Sequence, residues 1–341
     1  MFLHLFTATV FCHVVLASKH VHFQQWYPQF EKGFESIIRT KCNEEFERYM
    51  TETPQPGCKN CIAGPVVTCM LEALDENVKA MFASAGVLLA LLPTTLSLAG
   101  PSTIETGILA QRRPFLAFLL ALCSPAASPI RTIDYRDPQE LLRRKPDIYR
   151  IKADGISVAA RRVISGLEYL LTTAAIANVA HVTWELSVKT VTAVSTVTEF
   201  LPALWVATSV IIHILGAWAV RLRTSILLVE HATRSESLFI QEWMLSAVQP
   251  QATLQLKPEE LLFIFISWLV STGIILHIVF GTLVLAGTLF ITPQDALCVV
   301  ARYLASTILC KTVLMYEIVG MRETVTVESE QEPLKGQIYE K

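Results

Sequence analysis

The sequence predicts an all-α fold: a polytopic helical membrane protein with a small disulfide-bonded N-terminal ectodomain. Three observations carry that expectation. Charged residues make up only 17% of the 341-residue chain, and apolar residues 52%, whereas soluble domains carry nearer a quarter charged. Lipid demands such a deficit, because a charge at the bilayer centre costs at least ~2.5 kcal/mol. Several runs with few or no charges approach or exceed 20 residues, the length of a helix that crosses about 30 Å of hydrocarbon. A leader-like segment and a block with four cysteines precede the first of these runs. With 28 Lys and Arg against 30 Asp and Glu, there is no global basic field for nucleic acid. The partner that composition implies is the lipid bilayer.

Residues 1–18 read as a signal peptide. Val10 to Ala17 is mostly apolar, and Val15-Leu16-Ala17 places small residues at cleavage offsets. The n-region has His4 but no Lys or Arg. The alternative, an uncleaved anchor, is too short to span comfortably. Residues 19–79 then form a translocated ectodomain holding Cys42, Cys58, Cys61 and Cys69. An even set of cysteines in an oxidising compartment implies two disulfides in a block too small for a large core. Their pairing stays open among three possibilities. Cys58-Lys59-Asn60-Cys61 lacks the second ligand pair of a zinc site and the βαβ context of a redox centre. Asn43 to Met50 is helix-compatible, and Pro54, Pro56 and Gly57 mark a turn.

The spans follow in order. Residues 80–99 form the first, with Pro93 bending it and Thr94 and Thr95 able to satisfy freed carbonyls. Residues 115–128 are apolar but short, which suggests a re-entrant or interfacial segment. Residues 131–162 carry nine Lys or Arg against five Asp or Glu; short loops this basic stay cytoplasmic, and Arg143-Arg144-Lys145 also suits anionic lipid. Residues 163–183 form the second span, containing Glu168, and 184–199 a short loop. Residues 200–220 form the third span, ended by Arg221 and Arg223. In the cytoplasmic segment 224–260, Ser235, Glu242, Ser246 and Gln249 share a face of an expected interfacial helix. Residues 261–291 form an uncharged fourth span longer than one crossing needs, and Gly273, Gly281 and Gly287 permit close packing. Thr292-Pro293-Gln294-Asp295 signals a helix start. Residues 296–320 form the last span, with Arg302, Lys311 and Glu317. The cytoplasmic tail 321–341 is polar and acidic and reads as disordered.

Ser84-Ala85-Gly86-Val87-Leu88-Leu89, Leu91-Leu92-Pro93-Thr94, Leu98-Ala99-Gly100-Pro101-Ser102 and Arg113-Pro114 before Leu116-Ala117-Phe118-Leu119-Leu120 resemble a set of uncharacterised multi-span membrane proteins of filamentous fungi. Trp184-Glu185-Leu186 and Ala301-Arg302-Tyr303 fit the same likeness. The resemblance implies a lineage and brings no activity, cofactor or site residue.

The candidate polar residues within the membrane are Glu168, His181, His213, His277, Arg302 and Lys311. His181 and Glu185 stand four apart on one helical face. With His213 and His277 they would suit a zinc-type intramembrane hydrolase, but no His-Glu-x-x-His motif links them, and their depths differ. No nucleophile elbow, Walker loop or Rossmann fingerprint occurs. Cys123, Cys298 and Cys310 lie in apolar runs, where cysteine acts as a small hydrophobe. Depth along the helices matches Glu168 with Lys311, and places Arg302 near His181 and Glu185. The expected function is therefore a non-enzymatic sensor, scaffold or structural component in a multi-pass membrane of the secretory pathway, the plasma membrane first. No cofactor, metal or catalytic residue is assigned. A transporter or channel with a polar path lined by Glu168, Arg302 and Lys311 is the alternative, and the zinc hydrolase the next.

Overall fold

Short amphipathic helices come first among the described residues because their apolar residues recur three and four apart. In α1 (Glu31–Thr40) Phe34 and Ile38 turn inward, in α2 (Asn43–Thr51) Tyr49, and in α3 (Ala63–Ala73) Ala63, Val66, Val67 and Met70. The computed structural model describes residues 20–52, 62–128, 142, 157–195, 200–228 and 238–327. The expectations for residues 1–18, for Cys58 and Cys61, for most of the 131–162 loop and for residues 328–341 fall outside these.

The remaining elements are α4 (Glu76–Ala90), α5 (Leu92–Ala99), α6 (Thr103–Leu109), α7 (Pro114–Cys123), α8 (Val158–Lys189), β1 (Val191–Thr192), α9 (Leu201–Arg223), β2 (Thr224–Leu228), α10 (Leu238–Trp243), β3 (Ala252–Leu256), α11 (Leu261–Ala286), β4 (Thr288–Leu289), α12 (Pro293–Thr324) and β5 (Val325–Val327). Among the described residues, five helices are long and apolar enough to cross a membrane: Glu76–Ala99, which joins α4 and α5, then α8, α9, α11 and α12. The expected bend at Pro93 falls where α4 gives way to α5, and Thr95 Oγ1 donates to the carbonyls of Leu91 (3.1 Å) and Leu92 (2.9 Å).

Two compact units divide the chain. The first comprises residues Met1–Leu96, Ala177–Thr208 and Leu276–Ala305. Its core gathers Phe23, Trp26, Phe34, Met70 and Phe82 with Val191 and Phe290. Cys42 and Cys69 are joined, with Cα atoms 5.9 Å apart. Phe23 and Phe290 both hold left-handed backbone, at φ 68 and 63, which is rare for a bulky residue; their rings meet edge to face at 6.5 Å. β1 and β4 pair antiparallel, Val191 with Leu289 and Thr192 with Thr288. At the start of α12, Thr292 Oγ1 accepts from the Asp295 N–H (3.3 Å) ahead of Pro293, a capping arrangement.

The second unit comprises Ser97–Ile176, Ser209–Ile275 and Ser306–Lys341. Its apolar core includes Ile108, Leu109, Leu116, Leu120, Val220, Leu254, Leu314 and Ile318. α6 begins with a reciprocal capping box: the Glu105 N–H donates to Ser102 Oγ (3.2 Å), and the Ser102 N–H to Glu105 Oε2 (2.8 Å). Residues 115–128 form most of the ten-residue α7 and a buried non-helical run. At the end of that run the Ser128 N–H donates to the Pro101 carbonyl (3.3 Å).

Three expectations need correction here. Strands β2, β3 and β5 form a small sheet, with β2 antiparallel and β5 parallel to β3; β2 and β5 continue directly from α9 and α12, so residues 321–327 are ordered backbone. Of the interfacial helix expected to hold Ser235, Glu242, Ser246 and Gln249, Ser235 lies outside the described residues, and residues 238–249 form instead the short α10, a 3-10 turn over Ser246–Val248, and extended chain; Glu242, Ser246 and Gln249 are buried. Cys123 and Cys310 are joined to each other, with Cα atoms 6.6 Å apart, rather than acting as separate hydrophobes. Cys298 is free and exposed.

Candidate functional site

The most polar interior feature of the second unit is built around Arg113, and local sequence dictates its backbone. Proline disfavours helical backbone in the residue before it. Arg113 accordingly sits at φ −131, ψ 71, between α6 and α7, whose first residue is Pro114. Its N–H still donates to the Leu109 carbonyl (2.8 Å), closing the turn. The guanidinium is fully buried. Nη1 donates to Glu168 Oε2 (2.6 Å) on α8 and to Glu317 Oε1 (3.0 Å) on α12. Nη2 donates to Ser165 Oγ (2.9 Å), and Nε to the Glu242 carbonyl (2.9 Å). The face of the guanidinium lies 5.4 Å from the Tyr169 ring centre, within cation–π range.

A second layer of bonds holds those partners. Ser246 donates to Glu317 Oε2 through Oγ (2.5 Å) and through its N–H (3.2 Å). Glu242 Oε1 accepts from Tyr169 (2.7 Å) and from the Leu116 N–H (2.9 Å). The latter is an otherwise unsatisfied donor in the first turn of α7. Neighbouring Arg112 is also buried. Its partners are neutral: Gln249 Oε1 (3.2 Å), Thr324 Oγ1 (3.3 Å) and the Pro250 carbonyl (3.1 Å). Burial pushes its pKa down to about 10, so it stays charged at neutral pH.

Lys311 donates to Glu105 Oε2 at 2.5 Å, the carboxylate that already caps α6. The expected Glu168–Lys311 pair is therefore not formed: Glu168 binds Arg113, and Lys311 binds Glu105. In the first unit, Glu185 receives Lys189 Nζ and Arg302 Nη1, each at 2.6 Å. Arg302 also donates Nε to Asn178 Oδ1 (3.0 Å) and lies 3.0 Å from His181 Nδ1. The sequence expected this neighbourhood of Arg302, His181 and Glu185.

Each of the three histidines meets partners of its own. His213 bonds Thr106 (3.2 Å), His277 bonds Thr208 (2.9 Å) and stacks on Trp205, and His181 contacts Glu185 (3.3 Å). Among the described residues no group of three His, Cys, Asp or Glu side chains is placed to hold a metal. Sequence reasoning missed Arg113, Glu105 and Glu317 as partners. The signal for Glu105 was available in Ser102-Thr103-Ile104-Glu105, a capping-box spacing.

The chemistry of the Arg113 network is that of a latch. One guanidinium fork ties the α6–α7 turn to α8, α12 and the chain at α10, in surroundings where each unpaired charge would be costly. No family model, no curated protein and no solved structure matches the chain.

Proposed function

We propose that this chain is an integral membrane protein of the plasma membrane with five crossings, and that it acts as a non-enzymatic sensor or scaffold. The membrane reading rests on the five long apolar helices and on what they leave uncovered. On α11, Leu261, Phe265, Trp268, Leu276 and Val279 are all more than half exposed, a surface suited to lipid and a liability in water. The single observation that carries the sensor or scaffold reading is the aromatic core of the first unit. Trp26 and Phe34 pack against Phe290, at 5.5 and 5.8 Å between ring centres. Phe290 follows β4, in the connection from α11 to α12, so the disulfide-bonded segment is joined to the helix ends. A ligand bound by residues 20–79 would act directly on those ends.

The transporter or channel is the second reading, favoured by the interruption of the apolar run at Gly100-Pro101-Ser102 and the buried non-helical run after α7. Irregular backbone at membrane depth is tolerated where protein covers it or where it lines a cavity. Coprecipitation from native membranes and reconstitution together test the assignment. A partner held by the wild type and released by Phe290→Ala, with no flux in vesicles, is the expected result. Selective flux that Glu168→Ala abolishes would move the assignment to a transporter.

A further inference from the structure

We propose that Arg302, His181 and Trp184 form a binding site for the phosphate group of a phospholipid, at the level where α8 leaves the membrane. The proposal rests on the membrane reading and is independent of the sensor or scaffold role. The expected second span ends at residue 183, so His181 and Trp184 stand on either side of that level. The contacts of Arg302 with Asn178, His181 and Glu185 bring it to the same place. Tryptophan is enriched at the membrane–water interface. These side chains lie in the first unit and stay open: His181 is 57% exposed, Trp184 46% and Arg302 36%. The rings of His181 and Trp184 lie 6.0 Å apart, centre to centre.

The cluster has donors to spare. A guanidinium carries five N–H groups, and Arg302 commits three of them: Nε to Asn178 Oδ1 (3.0 Å), one on Nη1 to Glu185 Oε2 (2.6 Å) and one on Nη2 toward His181 Nδ1 (3.0 Å). These bonds leave an N–H on each Nη. A His181 ring that accepts at Nδ1 carries its proton on Nε2, a further donor, and Trp184 adds an indole N–H. The acceptor that matches such a planar fork is a carboxylate or phosphate. Charge favours an anion as well. Glu185 receives two cations at once, Lys189 Nζ and Arg302 Nη1, each at 2.6 Å. Lys189 is mostly covered and lies over the Tyr27 ring, 5.3 Å from its centre, so Arg302 is the cation that faces out. Asp295, the other acid on this stretch of α12, stands two turns before Arg302 and accepts from Thr292 Oγ1 (2.9 Å) instead. Lipid tails can cover the open apolar side chains of the helices but cannot pair a guanidinium left a third exposed. A phospholipid's phosphodiester supplies the missing negative charge at the level where Arg302 meets the headgroups.

The full chain purified in detergent and titrated with phosphatidylglycerol, read by native mass spectrometry, tests the site. Flotation of the same protein with liposomes tests the membrane reading separately. One phospholipid is expected to bind ahead of the rest. His181→Ala, which leaves the Arg302–Glu185 pair in place, and Arg302→Gln are each expected to weaken that first binding by about tenfold, the effect of losing one charge-assisted hydrogen bond. Diacylglycerol, which has no phosphate, is expected not to bind there. Wild-type protein that floats but shows no preferred first phospholipid overturns the proposal and leaves the membrane reading intact. First binding that the two substitutions leave unchanged overturns it too, and His181→Ala decides alone if Arg302→Gln does not fold. Inorganic phosphate that binds as tightly as phosphatidylglycerol overturns the lipid as the source of the phosphate.

Discussion

Arg113 is the residue at the centre of the second unit's buried Glu168–Glu317 network. It uses all three nitrogens, which between them reach α8, α10 and α12. A lysine at this position has one ammonium and no fork, so Arg113→Lys is not conservative here. Arg113→Gln strands Glu168 and Glu317, and removing one partner from a buried pair costs about 3–5 kcal/mol. A large drop in melting temperature, or no folded material, is therefore expected from purified protein. The exposed pair of Arg48 with Glu44 provides the contrast: Glu44→Ala is expected to change stability by less than about 1 kcal/mol. His22 gives a pH dependence. Burial pushes its pKa down to about 4 from 6.5, against the pull of the Val188 and Thr190 carbonyls. Above pH 6.5 the ring is neutral in both states. As pH falls from 6.5 towards 4 the unfolded chain binds a proton that the folded one refuses, so stability falls across that window. The loss by pH 4 is about 3 kcal/mol. Proteolysis of residues 20–79 should accelerate over this range in the wild type and much less in His22→Phe.

Elements are held at distances that two glycines reveal. A Cβ on Gly216 of α9 would lie 2.5 Å from Thr103 Cβ at the start of α6. Gly216→Ala is therefore expected to lower stability by about 1–3 kcal/mol, the usual cost of overpacking. At Gly273 of α11 the nearest atom is Ile212 Cγ1, 3.6 Å away. There alanine meets ordinary contact, and Gly273→Ala should be neutral or stabilise by up to about 1 kcal/mol. Thermal unfolding of the two variants side by side checks both signs. The long helices were legible in the sequence because length and low charge are properties of a single segment. The strands were not: β1 and β4 have two residues each, and β2 and β5 run straight out of helices, leaving no alternation to read. Arg113 was not legible as a network centre, since charge alone does not say that Arg112 and Arg113 turn inward. The Glu168–Lys311 expectation failed for a related reason. Depth along two helices was matched without the α6–α7 segment, which supplies the actual partner of each: Arg113 for Glu168 and Glu105 for Lys311.

At the scale of the whole molecule, five helices among the described residues are long and apolar enough to cross a membrane. The proposed orientation puts residues 20–79 outside and the C-terminus in the cytoplasm. Between the spans, 15 Lys or Arg fall on the proposed inner side, 11 in residues 100–162 and four in 221–260, while the outer loops carry only Lys189. That bias is the positive-inside pattern. It requires that α7, at ten residues and therefore about 15 Å, not carry the chain across. The most direct test is a pair of topology reporters in the full-length chain, one inserted at residue 145 and one fused to the C-terminus. Both are expected to report the cytoplasm. An external signal at residue 145 would mean that α7 and its flanks cross the bilayer, and would contradict the five-crossing account.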